Sequence, residues 1–220
     1  MSPTKCIGLS EVYIRLLEFY GPQHWWPADT VLEIIIGAIL VQGTNWRNAE
    51  KAISDLKKNN LLDVISLRNV DLSKLAKIIR SSGFQRVKAS RIKNFIHRLC
   101  SDFQCNLDRL KTLPTARLRK WLLSIKGIGR ETADNIILYA FNRSVFPVDK
   151  YTRRLFRRLG IIECNDYEEI RRYVESKITR LDILKEFRAL IVVHCKNTCK
   201  TQPICRECPL ENMCHYRITK

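Results

Sequence analysis

Apolar residues recur three and four positions apart along almost the whole chain, as at Leu75, Ile78 and Ile79 and again at Ile92, Phe95, Ile96 and Leu99, and strict alternation is nearly absent. A repeat near 3.6 is one face of an α-helix, whereas a repeat of two is a strand. An all-α fold is therefore expected. Val31–Val41 differs because its apolar residues surround the helix. It is too short to span a bilayer, so it is the expected central buried helix, with Thr30 and Glu33 as a capping box. Further helices are expected over 45–58, 73–82, 87–101, 116–124, 131–141, 150–159, 166–177 and 181–195. If the chain forms two lobes, it crosses between them at Asn142–Pro147.

Charge narrows the class. Lys and Arg number 39 against 22 Asp and Glu, a formal net charge of +17. That surplus in a folded chain calls for a polyanionic partner, with nucleic acid ahead of an anionic membrane surface. No stretch of 18 apolar residues occurs and no signal-peptide core opens the chain, so a soluble, intracellular (cytoplasmic or nucleoid-associated) monomer without membrane attachment is expected. Nine cysteines are present. Cys6, Cys100, Cys105 and Cys164 are scattered, whereas Cys195, Cys199, Cys205, Cys208 and Cys214 crowd the C-terminus. An odd total without a secretion signal argues against a disulfide framework and favours a metal site in the tail.

The chemistry concentrates in Leu122–Ala133, which reads as helix, glycine-rich turn and helix, followed by Val148-Asp149. Gly127 and Gly129 lack side chains, so their amides can approach a phosphate beside Arg130. An ordinary helix–helix turn is the plainer reading; the flanking apolar helices and the basic background favour the anion contact. Asp149 lies eighteen residues after Glu131. Alone, it would read as an N-cap for the helix from Lys150.

This order of elements resembles the helix-hairpin-helix, Gly/Pro-rich, aspartate signature of the endonuclease III superfamily of DNA glycosylases, and the likeness extends over almost the full length. It implies a two-lobed fold: a six-helix barrel lobe over 29–144 with the hairpin at 116–141, and a lobe made from residues 1–28 and 145–220 carrying a cysteine cluster loop. It also implies double-stranded DNA with a flipped-out damaged base as substrate. Asp149 matches the catalytic aspartate. Glu131 stands where bifunctional members carry the lysine that forms a Schiff base, and a carboxylate cannot form an imine. The resemblance thus points to a monofunctional glycosylase using water.

Together with Trp25-Trp26-Pro27, Gln42-Gly43-Thr44 and Val148-Asp149-Lys150-Tyr151, the glutamate looks most like the 3-methyladenine glycosylase branch. A cationic alkylated purine stacks on electron-rich rings. Trp25, Trp26 and Trp46 would wall that pocket with Glu131, although Trp25 and Trp26 suit core packing equally. Gln42 matches the residue that fills the gap left by the flipped base, and Phe84 the wedge into the opposite strand. Lys150 and Arg153 are candidate phosphate contacts, as are Arg154, Arg157, Arg158, Lys196, Lys200 and Arg206. Lys150 also leaves open a bifunctional glycosylase/lyase on oxidised pyrimidines. A uracil or thymine mismatch glycosylase and a non-catalytic DNA-binding module are the other readings.

Cys199-x5-Cys205-x2-Cys208-x5-Cys214 resembles the [4Fe-4S] loop of endonuclease III relatives, although the commonest spacing there has six residues in the first gap. Cys195 is the spare ligand. Four thiolates also suit zinc, the alternative cofactor.

Overall fold

The computed structural model describes residues 8–218; residues 1–7, with Cys6, lie outside the described residues. Its ordered elements are helical, and among the described residues no strand occurs. The chain enters through α1 (Leu9–Tyr20), continues through α2 (Val31–Leu40), α3 (Trp46–Lys58), α4 (Val64–Asn69), α5 (Leu72–Ile78), α6 (Gln85–Phe103), α7 (Asp108–Thr112), α8 (Thr115–Leu123) and α9 (Arg130–Asn135), and closes with α10 (Lys150–Leu159), α11 (Tyr167–Lys177), α12 (Leu181–Asn197) and α13 (His215–Ile218). Two compact units emerge. One runs from Trp26 to Arg143; the other joins the segment ending at Trp25 to the segment starting at Ser144.

Six of the helix starts are written locally. Thr30, Asn45, Asp63, Asp71, Asp149 and Asp166 each accept a hydrogen bond from a backbone amide of the first turn that follows. Each such cap contributes about 1 kcal/mol. The capping box at Thr30 is modified: Thr30 Oγ1 accepts from the Glu33 amide at 3.1 Å, while Glu33 Oε2 accepts from the Asp29 amide. Glu33 is buried, and Lys57 Nζ lies 2.8 Å from its other oxygen.

In the Trp26–Arg143 unit α2 is the core. From Leu32 to Leu40 only Ile34 is not buried, and the helix packs on α3, α6 and α9. Gly37 gives this helix close approach to its neighbours: a Cβ would stand 3.2 Å from Trp26 Cζ2 and 3.3 Å from Ile53 Cδ1. The helix expected over 131–141 splits into α9 and a π-helical segment, Ile136–Ala140. The expected 73–82 helix breaks after Ile78 into a 3-10 turn at Arg80–Ser82. Cys100 and Cys105 are bonded to each other, a pairing that counting cysteines did not anticipate.

Lys88 is the largest polar group in that core, 1% exposed. Its Nζ donates to the carbonyls of Leu40 at 2.7 Å and Ser82 at 2.6 Å, tying the end of α2 to the turn before α6. Burial and neighbouring Arg91 push its pKa down from 10.5 to about 8. Between those values the unfolded chain keeps a proton that the folded protein releases, so stability should rise with pH from about 8 to 10.5. Urea unfolding across this window should show that slope in the wild type and lose it in Lys88→Met.

In the other unit, α12 packs against α1 and α10, with Leu184, Phe187, Leu190 and Ile191 fully buried. Phe187 meets Tyr13 edge-on at 6.2 Å and stacks on Phe156 at 6.4 Å. Helix α1 was absent from the sequence expectation, although Val12 and Leu16 are buried one turn apart on it.

Candidate functional site

The glycine turn joins α8 to α9, seated on buried Ile125 and Ile128. Arg119 of α8 holds Asp134 of α9 through Nε at 2.7 Å and Nη2 at 3.1 Å, and Asp134 is fully buried. The two glycines differ. Gly127 has φ +99°, and a Cβ there would lie 2.3 Å from Arg91 Cγ. Gly129 has ordinary extended backbone at φ −90°, and a Cβ there would meet nothing within 4 Å. It is the N-cap of α9 and carries no cap side chain. Gly127→Ala should combine a strained φ with overpacking, a loss of about 2–4 kcal/mol, whereas Gly129→Ala should change unfolding little. Equal unfolding midpoints for both variants would contradict this difference.

Arg91 links the hairpin to Gln42. Its Nη1 donates to Gln42 Oε1 at 2.5 Å, and Gln42 Nε2 donates to Thr132 Oγ1 at 2.7 Å and to the Gly127 carbonyl at 3.2 Å. Gln42 is thus part of the hairpin's polar network, a placement that its position in the sequence did not reveal. Phe84 is 71% exposed, sits in the left-handed region at φ 47° and caps α6. A large apolar side chain held outward on a strained turn is costly unless it has a use. A Cβ on Gly43 would come within 3.9 Å of its ring.

Of the tryptophans, Trp26 meets Trp46 edge-on at 4.9 Å and Tyr139 at 5.3 Å. Trp26 Nε1 is buried with no hydrogen-bond partner. Tyr139 was missed in the sequence; it lies on the π-helical segment, whose extra residue per turn re-aims side chains in a way no local pattern announces. Trp25 belongs to the other unit and is partly exposed. Glu131 stands exposed in the first turn of α9, next to exposed Arg130.

In the second unit Asp149 is 5% exposed, with both oxygens engaged. Oδ1 accepts from the Thr152 amide at 2.8 Å and the Thr152 hydroxyl at 3.0 Å, so the N-cap reading holds. Oδ2 lies 3.0 Å from Arg188 Nη2, a buried ion pair that the sequence did not signal because Arg188 is 39 residues away. Lys196 is held below the ordinary lysine range, first by burial and then by Arg188, with Asp149 pulling the other way. Lys150 is exposed, with its ammonium 5.3 Å from the Tyr151 ring centre.

Several arginines expected at phosphates are engaged within the protein. Arg153 donates to the Asn165 carbonyl and side chain. Arg154 donates to the carbonyls of Cys199 and Cys195, both at 2.9 Å. Arg158 donates to Cys199 Sγ at 3.2 Å and to the carbonyls of Lys200 and Thr201. These three brace neighbouring loops; Arg157 stays exposed.

What Arg154 and Arg158 brace is the cysteine segment. Cys199, Cys205, Cys208 and Cys214 line one cavity of about 20 Å³ with Leu155, Leu159, Ile204 and Leu210, and all four thiols are free. Cys195 does not line it. A hydrogen bond from Cys195 pushes the Cys199 thiol down, against burial, and Cys195 correspondingly up. Burial pushes Cys208 up to about 11. His194, fully buried, sits between Tyr20 Oη at 3.0 Å and Cys208 Sγ at 3.9 Å.

Comparisons with known proteins agree with this architecture. The family model described as "HhH-GPD superfamily base excision DNA repair protein" matches residues 36–180. A Methanocaldococcus jannaschii protein named as a DNA repair glycosylase is 44% identical over 217 residues, 97% of this chain and 99% of that one. Endonuclease III of Sulfolobus acidocaldarius is 30% identical over 213 residues, 94% and 92% of the two chains. The H. pylori 3-methyladenine DNA glycosylase bound to 1,N6-ethenoadenine superposes with a TM-score of 0.76 at 29% identity, covering 86% of this chain and 98% of that one.

Proposed function

The chain belongs to the HhH-GPD superfamily of base excision DNA repair proteins and is a DNA glycosylase, and we propose that it is monofunctional and releases alkylated purines such as 3-methyladenine. The observation that carries this reading is Glu131. It occupies the first turn of α9, where a lyase of the family places its lysine, and a carboxylate has no amine with which to open the sugar. The likeness to the H. pylori enzyme supports the substrate class.

On this reading the damaged nucleotide leaves the duplex, Gln42 fills the space it vacates, Phe84 wedges into the opposite strand, and Trp26, Trp46 and Tyr139 receive the base, with Glu131 at the pocket. Gly127, Gly129, Arg130 and Lys150 are the proposed contacts to DNA. Asp149 stabilises positive charge developing on the sugar while water attacks C1′. The carboxylate is held in place by Thr152 and Arg188.

The chemistry of the donor set supports a [4Fe-4S] cluster: four free thiols line one largely apolar cavity backed by Arg158, although among the described residues no three His, Cys, Asp or Glu side chains are drawn together as a metal site. Cys199, Cys205, Cys208 and Cys214 would hold it. Such a group supplies cross-links that order a loop too short to build a core of its own. Zinc is the alternative, and iron and sulfide analysis separates the two.

The test is incubation with methylated duplex DNA. Released 3-methyladenine with no borohydride-trapped protein–DNA adduct is expected; a trapped adduct would instead support lyase chemistry through Lys150, the second reading, which the endonuclease III likeness favours. Glu131→Lys should gain trapping.

A further inference from the structure

Asp149 is more heavily neutralised than the proposed chemistry requires. A carboxylate that only had to offset charge on the sugar would act best with a free oxygen turned to the substrate. Here Oδ1 accepts two hydrogen bonds from Thr152 and Oδ2 faces the Arg188 guanidinium at 3.0 Å, with both partners of the ion pair 6% exposed at their side chains. A second cation is felt there: Lys196 of α12 interacts with both Asp149 and Arg188.

The pairing has a consequence for the sugar. A carboxylate held by a guanidinium projects a weaker field at C1′ than an unpaired one, while still favouring positive charge there. The push available to expel a base is therefore weak. That suffices when the base departs unaided. In a cationic N-alkylated purine nucleoside the glycosidic electron pair moves into the ring and discharges it; water bonds to C1′ and its proton passes to solvent, leaving a neutral purine and an abasic sugar. A neutral nucleoside must in addition gain a proton on the departing base, and it depends far more on stabilisation of the sugar cation.

Resting on the assignment of Asp149 and of alkylated purines above, we propose that Arg188 is a specificity-determining residue: by pairing with Asp149 it confines excision to bases that leave from a positively charged nucleoside. The positive charge that restrains Asp149 protects undamaged neutral bases from slow hydrolysis.

The experiment compares single-turnover release of a cationic lesion, 7-methylguanine, with that of a neutral one, hypoxanthine, from otherwise identical duplexes. Wild type should strongly favour 7-methylguanine. Arg188→Gln keeps a donor for Asp149 and removes the charge; it should narrow the ratio at least about tenfold, the scale of removing one unit charge a few ångströms away at intermediate dielectric. Arg188→Lys should keep the wild-type ratio. A thermal melt checks folding, and if Arg188→Gln does not fold, Arg188→Met carries the same comparison. Equal fractional changes in both rates would show that Arg188 only supports the fold and would overturn the inference, leaving the glycosylase reading intact. Absence of 7-methylguanine and 3-methyladenine release by wild type would overturn both.

Discussion

Replacing Asp149 by asparagine is expected to slow base release by about 10²–10⁴-fold, the usual contribution of a positioned catalytic carboxyl group, while binding to an abasic-site analogue persists. Asparagine is as good an N-cap as aspartate, so the bond from the Thr152 amide survives and α10 should keep its start. The change is felt at Arg188. Its guanidinium, 6% exposed at the side chain, then faces a neutral amide in place of a carboxylate. Removing one partner of a buried ion pair typically costs about 3–5 kcal/mol, and the retained carbonyl acceptor should bring this case to the low end. The variant should therefore melt earlier yet fold, with its catalytic loss far exceeding its fractional loss of folded protein. Undiminished release at a temperature where the variant is folded would remove Asp149 from the chemistry.

Asp134→Ala should be among the most destabilising single changes in the Trp26–Arg143 unit, by about 3–5 kcal/mol, because it removes the buried carboxylate that Arg119 holds with two hydrogen bonds. Asp134 is fully buried and receives two bonds from Arg119, so water cannot replace the lost partner cheaply. Since the pair joins α8 to α9, DNA affinity should fall with stability. The double change Asp134→Leu with Arg119→Met removes both charges and should recover much of the loss. Urea unfolding of the three variants measures this; a single-mutant loss below about 1 kcal/mol would place the pair with exposed salt bridges.

Much of this was legible in the residues themselves. The 3.6 repeat marked α3, α6, α8, α10, α11 and α12 to within a few positions, and Thr30 announced α2 through its side chain. Short elements escaped. Helices α4 and α7 span 6 and 5 residues, fewer than two turns, which is too short for a period to show. The π-helical turn at Ile136–Ala140 escaped because it differs from an α-helix by one inserted residue and not by composition.

Within the proposed site, the residue types and their order along the chain came from sequence alone: Glu131 in place of a lysine, Asp149 eighteen positions on, glycines in the turn, and four spaced cysteines. These depend on what a side chain can do chemically, which its identity fixes. What the tertiary structure decided is which groups restrain them. Arg188 on Asp149, Arg91 on Gln42, Lys88 between the Leu40 and Ser82 carbonyls, Tyr139 beside Trp26, and Arg154 and Arg158 under the cysteine segment are distant in sequence or aimed by irregular backbone. A charge's effect depends on distance and burial, and neither exists until the chain has packed.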